Sequence, residues 1–262
     1  RLGELQSGAD NGVWARMFGG KLGGDEFTNK YKTYQLGYDA QAGEWRVGAA
    51  YEYSDGSLNY TSGSGENKIG AISLYGTLQG KDNSALDIVV KRGRIYGDMD
   101  IYGKYSDQGD YSTDATSIGV EYSKRFDGGN NVYFEPQAQL TFGRIDGYDY
   151  VSAKGIRVAY DDINSLIGRL GIVGGKAFSR GDVYVKASLL HEFSGDSSVT
   201  MLAANGESYM EDQDYGDTWL EVGIGGNITL GKNCELYGEV ERSFGGDVTK
   251  NWGANVGFRY SF

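Results

Sequence analysis

The last twelve residues, Asn251-Trp252-Gly253-Ala254-Asn255-Val256-Gly257-Phe258-Arg259-Tyr260-Ser261-Phe262, place an apolar or aromatic residue at every even position. Every odd position is polar, charged or glycine. Side chains alternate faces along an extended strand, so this segment has one greasy face and one wet face. Its length suits a tilted strand that crosses a bilayer. The rhythm recurs at Trp45, Val47, Ala49, Tyr51 and Tyr53, at Val183, Val185, Ala187, Leu189 and Phe193, and at Leu220, Val222, Ile224, Ile228 and Leu230. Weaker versions lie at 12–19, 31–41, 66–79, 84–95, 113–126, 131–145, 165–178 and 233–243. They predict about twelve strands, an even number as bacterial outer-membrane barrels require.

Connections supply a second, independent pattern. Short glycine-containing links at Ala42-Gly43, Gly80–Asn83, Asp127–Asn130, Ser179-Arg180-Gly181 and Gly231-Lys232 alternate with longer ones near 20–30, 55–65, 96–112, 146–164 and 194–216, and a shorter member near 244–250. Tight turns on one rim and long loops on the other are the mark of an outer-membrane barrel, the short rim being periplasmic. The long links are rich in Asp, Gly, Ser and Asn and read as solvated segments without a specific task. The expected fold is therefore all-β, a twelve-stranded antiparallel transmembrane β-barrel formed by residues 12–262, with residues 1–11 as a linker.

Composition agrees with this reading and excludes others. No run of about 18 apolar residues exists, so helical spans are ruled out, whereas a barrel strand needs an apolar residue only at alternate positions. One Pro among 262 residues suits a chain made of paired strands, since Pro removes a ladder donor. A net charge of −11 excludes nucleic acid as a partner, because phosphate binding needs a basic face. Cys234 is alone and can form neither an internal disulfide nor a thiolate metal site. The opening RLGELQSGAD has no apolar signal core, so an exported protein starting this way is expected to be a mature or excised fragment.

If the apolar rows meet lipid, the opposite rows line a lumen. They carry Arg16, Arg46, Glu52, Asp87, Lys91, Glu121, Glu135, Gln139, Arg169, Lys186, Glu192, Glu221, Glu239, Glu241 and Arg259. Charges of both signs on an inner wall can pair with one another or with a threaded polypeptide. Trp14, Tyr31, Tyr51, Tyr53, Trp219, Trp252 and Tyr260 are candidates for interfacial girdles, with Trp14 and Trp219 of inward parity. Glycines beside tyrosines, as at Gly37-Tyr38 and Gly119–Tyr122, offer places for rings to lie across the sheet. His191, the only histidine, shares parity with Leu189 and Phe193 and is expected at the membrane interface. Neither a catalytic triad spacing nor a metal or cofactor motif is present, so catalytic, metal and cofactor residues are all expected to be none.

Four strings, in order, carry a family resemblance: Gly12-Val13-Trp14-Ala15-Arg16, Glu135-Pro136-Gln137-Ala138-Gln139-Leu140, Leu166-Ile167-Gly168-Arg169-Leu170-Gly171 and Phe258-Arg259-Tyr260-Ser261-Phe262. Together they resemble the β-domain of type Va autotransporters, from about residue 12 onward. The resemblance implies a twelve-stranded barrel with an N-terminal helical segment in its pore. It also implies an upstream passenger delivered to the cell surface by type V secretion, and a bacterial outer-membrane location with periplasmic barrel termini and extracellular long loops. Expected partners are the chain's own passenger and linker, the barrel-assembly machinery and membrane lipid, with the barrel a monomer. Tyr260 and Phe262 resemble the C-terminal signal read by that machinery. Asp87 and Glu121 look similar to two lumenal acids that cut the passenger in some members, but the third position here is Gln139, which cannot exchange a proton. Self-cleavage of that kind is therefore expected to be absent or to work differently. The rival readings are an outer-membrane barrel enzyme, either protease or lipase, and a diffusion porin.

Overall fold

A computed structural model of the chain describes residues 11–104 and 106–262. Its strands are β1 (Gly12–Gly23), β2 (Phe27–Ala42), β3 (Trp45–Tyr60), β4 (Gly63–Gln79), β5 (Ser84–Ile101) and β6 (Asp107–Lys124). There follow β7 (Phe126–Asp127), β8 (Val132–Ile145), β9 (Tyr148–Val151), β10 (Arg157–Tyr160), β11 (Ile163–Phe178) and β12 (Gly181–Glu192). The last are β13 (Ser197–Leu202), β14 (Ser208–Gln213), β15 (Asp217–Leu230), β16 (Cys234–Phe244) and β17 (Thr249–Ser261). Twelve of them, β1–β6, β8, β11, β12 and β15–β17, pair antiparallel in a ring: β17 lies beside β1, and β11 closes against β8. Closure removes every free edge, which a sheet in hydrocarbon requires. The helical segment expected within residues 1–11 falls, except for Asn11, outside the described residues.

The wall is inside-out relative to a water-soluble protein. Leu36, Ile72, Leu74 and Leu170 are more than 60% exposed on the outer face, while Asp39, Asp87 and Glu121 are 0% exposed on the inner one. Tyr51, Tyr53, Trp252 and Tyr260 lie on the outer surface, as girdle residues would. Tyr31 does not: it shares the inward parity of Thr33 and Gln35. Trp14 is buried inside.

Three links expected to be long are mostly strand. Only Gly24–Glu26, Thr61-Ser62 and residues 102–106 separate the strands there. Strands β2–β6 have 16 to 18 residues, beyond the roughly 9–11 that span a bilayer. Past the bilayer both faces meet water, so pairing continues through Asp55, Asn59, Ser64 and Asp98 without an apolar row to announce it. The other two long links also contain strands, and β14, β13, β10 and β9 form a separate four-stranded sheet above the barrel.

Pro136 occupies a break in the ladder. The β6–β8 pairing stops at Ser123 opposite Gln137, and β7 resumes it at Phe126 opposite Phe134. The residue without an N–H lies in that gap, where no donor is missed. Aromatic rings cross strand glycines, but from the neighbouring strand and not from the adjacent residue. A Cβ at Gly37 would collide with the Trp14 ring, and one at Gly257 with the Tyr237 ring. Tyr38, next to Gly37, faces out instead.

Candidate functional site

The lumenal wall is organised around a few carboxylates, each engaged by several donors. Asp39 on β2 receives both Nη1 and Nη2 of Arg259, at 2.7 and 2.6 Å, from β17. Arg46 Nη1 on β3 donates to the same carboxylate at 2.9 Å, and the Tyr75 hydroxyl on β4 at 3.1 Å. Trp14 Nε1 on β1 donates to that hydroxyl at 2.6 Å. Five consecutive strands, β17 and β1–β4, are thus tied together across the junction of the first and last. Planar guanidinium groups suit this task because the fork matches a carboxylate with two parallel bonds.

A second assembly runs along one rank of directly opposed residues: Thr77, Asp87, Glu121, Gln139 and Arg169, on β4, β5, β6, β8 and β11. Thr77 Oγ1 donates to Asp87 Oδ1 at 2.5 Å. Arg169 Nη2 donates to Glu121 Oε2 at 2.9 Å, its Nε to Gln139 Oε1 at 3.0 Å and its Nη1 to Gln137 Oε1 at 3.0 Å. The amide of Gln139 turns to Thr141 Oγ1 at 2.9 Å. Asp87, Glu121 and Gln139, the three positions compared above with cleavage residues, are therefore neighbours. One acid is ion-paired to Arg169, however, and the third position has no acid.

The remaining inward charges pair likewise. Lys91 Nζ lies 2.8 Å from Glu52, which also takes a hydrogen bond from Gln35, and Arg16 Nε donates to Gln35 Oε1 at 2.9 Å. Lys186 bridges Glu239 and Glu241, and Lys250 bridges Glu241 and Glu221. Glu135 accepts from Gln137 Nε2 at 2.8 Å. Glu192, at the extracellular end, accepts the backbone N–H of Leu166 at 2.7 Å and of Ser194 at 3.2 Å, anchoring a long loop. Tyr260 and Phe262 face outward, and the Phe262 N–H donates to Asn11 O at 2.9 Å. His191 is exposed on the outer surface, its Nδ1 2.7 Å from Thr218 Oγ1 and its ring edge-on to Phe193. Among the described residues no group of His, Cys, Asp and Glu is arranged to hold a metal ion.

One cluster was not anticipated from the sequence. Tyr111, on the inner face of β6, stacks on Tyr148 with ring centroids 4.5 Å apart, and Tyr148 stacks on Tyr160 at 4.8 Å. Tyr150 donates to Met99 Sδ at 3.6 Å. Val158 on β10 and Val199 on β13, opposite Met201 and Tyr160 respectively, are buried in the loop sheet. Tyr160 and Tyr60 line a common cavity of about 310 Å³ with Glu26 and Met99, so the sheet reaches the long-loop ends of β3 and β5. Burial pushes the phenols of Tyr148, Tyr150 and Tyr160 up from their ordinary value. The alternation Tyr148-Asp149-Tyr150-Val151 was the only local sign.

Comparison with known proteins gives a consistent picture. A family model described as the autotransporter beta-domain matches residues 13–241. The pertactin autotransporter of Bordetella parapertussis is 30% identical over 280 residues, which cover all of this chain and 30% of that protein. The BrkA autotransporter of Bordetella pertussis is 29% identical over 286 residues, again covering all of this chain and 27% of its own length. The chain thus spans about three-tenths of the curated relatives it matches. The solved β domain of the Bordetella autotransporter BrkA is 26% identical with a TM-score of 0.80, the match covering 97% of this chain and 100% of that one. The translocator domain of NalP from Neisseria meningitidis has the same fold, with a TM-score of 0.80 at 13% identity over 100% of this chain and 92% of that one.

Proposed function

The chain belongs to the autotransporter β-domain family and is an outer-membrane translocator barrel, and from that premise we propose that it anchors and exports an N-terminal passenger of its own polypeptide. Residues 12–262 serve as the membrane unit and residues 1–11 as the tether leading back to the passenger. The single observation that carries this reading is the contrast between a greasy outer wall and an inner wall whose charges are already paired. Paired charges give a hydrated surface with little net grip on a passing chain. That suits a conduit for extended polypeptide better than a site that must bind and turn over a substrate. Tyr260 and Phe262 at the closing strand are offered to the barrel-assembly machinery, and the barrel works as a monomer.

The barrel itself is non-enzymatic in this reading. Glu121 is held by Arg169, and Gln139 can carry no proton, so the rank containing Asp87 lacks an acid–base pair for cutting the passenger. Expression of the precursor with its natural upstream sequence tests both points. An external protease should remove the passenger from intact cells, and passenger and barrel should stay joined in its absence. In planar bilayers the chain should conduct poorly until residues 1–11 are deleted. A steady open conductance indifferent to that deletion would favour a diffusion porin, and cleavage abolished by Asp87→Asn would restore the self-processing reading.

A further inference from the structure

The lipid-facing wall has a dent. Around one rank of outward positions the directly opposed residues are Lys176, Val183, Gly226, Gly238 and Val256, on β11, β12, β15, β16 and β17. Two glycines facing each other remove two side chains from an otherwise continuous apolar wall. What remains is a groove of about 520 Å³ with a backbone floor, bounded by Val183 and Val256 at its sides and by Ile228 and Leu236 toward the periplasmic rim. That volume falls within the range of about 300–1,000 Å³ usual for small-ligand clefts.

Charge at the rim says what enters. Arg180, in the periplasmic turn between β11 and β12, lines the groove. Lys176 stands on the outer face beside Val183, two residues below Gly174 on the same strand. Both side chains are exposed, and among the described residues neither has an anionic partner, whereas the inward Lys91, Lys186 and Lys250 are all paired. A lysine on a barrel's lipid face is tolerable only near the interface, where its amine can reach the headgroups. We infer that this groove binds one anionic phospholipid of the periplasmic leaflet, an acyl chain filling the space over Gly226 and Gly238 and the phosphate meeting Arg180 and Lys176. The inference rests on the reading of the chain as an outer-membrane barrel, which supplies the lipid and its orientation.

Gly238 makes the test clean, because a Cβ there would meet only Asn255 O, at 3.5 Å, so a larger side chain fills the groove without disturbing the wall. Gly70, on the opposite side of the ring, is the matched control, since its Cβ would meet only the Tyr51 hydroxyl at 3.7 Å. The full chain would be refolded in maltoside micelles, its folding checked by heat-dependent gel mobility. It would then be titrated with phosphatidylglycerol or phosphatidylethanolamine of identical chains, with retained lipid counted by native mass spectrometry. Wild type and Gly70→Leu should keep one phosphatidylglycerol. The preference over phosphatidylethanolamine should be about 25-fold, as expected of two basic groups near a headgroup. Gly238→Leu should keep neither lipid. The pair Lys176→Gln and Arg180→Gln should still take up lipid but with the preference reduced to near unity. A folded wild type that holds no lipid, holds both equally, or forms a dimer in place of the adduct overturns the inference while leaving the barrel reading intact. Equal retention by folded Gly238→Leu does the same.

Discussion

The lumenal wall and the extracellular sheet are built from the same chain on opposite principles. Inside the barrel, order comes from carboxylates such as Asp39 and Glu121 that are fully buried and engaged by guanidinium groups. Above it, order comes from tyrosine rings stacked 4.5 to 4.8 Å apart and from the buried Val158 and Val199, while its charged pairs, such as Arg157 with Asp149, are exposed. The difference follows from what surrounds each region. Backbone pairing and lipid already fix the barrel's outer face, so its interior is free to be polar provided each charge has a partner. A four-stranded sheet in water has no lipid to lean on and must bury apolar area of its own.

The comparison can be broken most directly at Asp39. Replacing it by Ala leaves Arg259 and Arg46 buried without their carboxylate and should cost about 3–5 kcal/mol of barrel stability. The loss would be read as a lowered urea midpoint in micelles, and a cost below about 1 kcal/mol would show that lumenal charge is ornamental. Arg169→Met, which takes the ion pair at Glu121 away, should cost about 3 kcal/mol in the same assay. Tyr148→Ala removes the middle ring of the stack and should weaken the loop sheet by about 1–2 kcal/mol. Its signature is faster protease nicking near residues 152–156 and 203–207 with the barrel midpoint unmoved.

Alkali should separate the two regions without mutation. The phenols of Tyr148, Tyr150 and Tyr160 have folded-state affinities for their protons above the unfolded value, so their contribution is intact below about pH 10 and declines as pH rises further. Nicking of the loop sheet should therefore accelerate between about pH 10 and 11, and phenylalanine at position 148 should blunt the effect. The smallest effect belongs to Arg157→Ala, which breaks an exposed pair and should change loop stability by no more than about 0.5 kcal/mol.

How much of this was legible in the sequence depends on what the surroundings impose. The rows through Val47, Val185, Ile224 and Phe258 could be read because lipid demands apolarity on one face only. Strands β3 and β5 went unread beyond the membrane, where Asp55 and Asp98 sit in stretches with no apolar row. Inward parity of Arg259, Glu121 and Arg169 followed from the rhythm, but their partners did not. Asp39 stands 220 residues before Arg259, and no local pattern joins them. The β10–β13 pairing failed to announce itself for the same reason, since its two short strands belong to different loops. Glycine positions hinted at ring packing, yet the ring came from the strand alongside, which only the register supplies.

The bidentate contact between Asp39 and Arg259 joins the second strand of the barrel to its last, 220 residues further along the chain. Until the final strand arrives, the carboxylate lacks the partner that takes two of its bonds, and the junction of first and last strands has nothing to hold it shut. A chain cut short before Arg259 therefore leaves that acid with Arg46 and Tyr75 alone and loses the contact that spans the closing junction. Closure of the barrel is marked, in effect, by whether Arg259 has reached that acid.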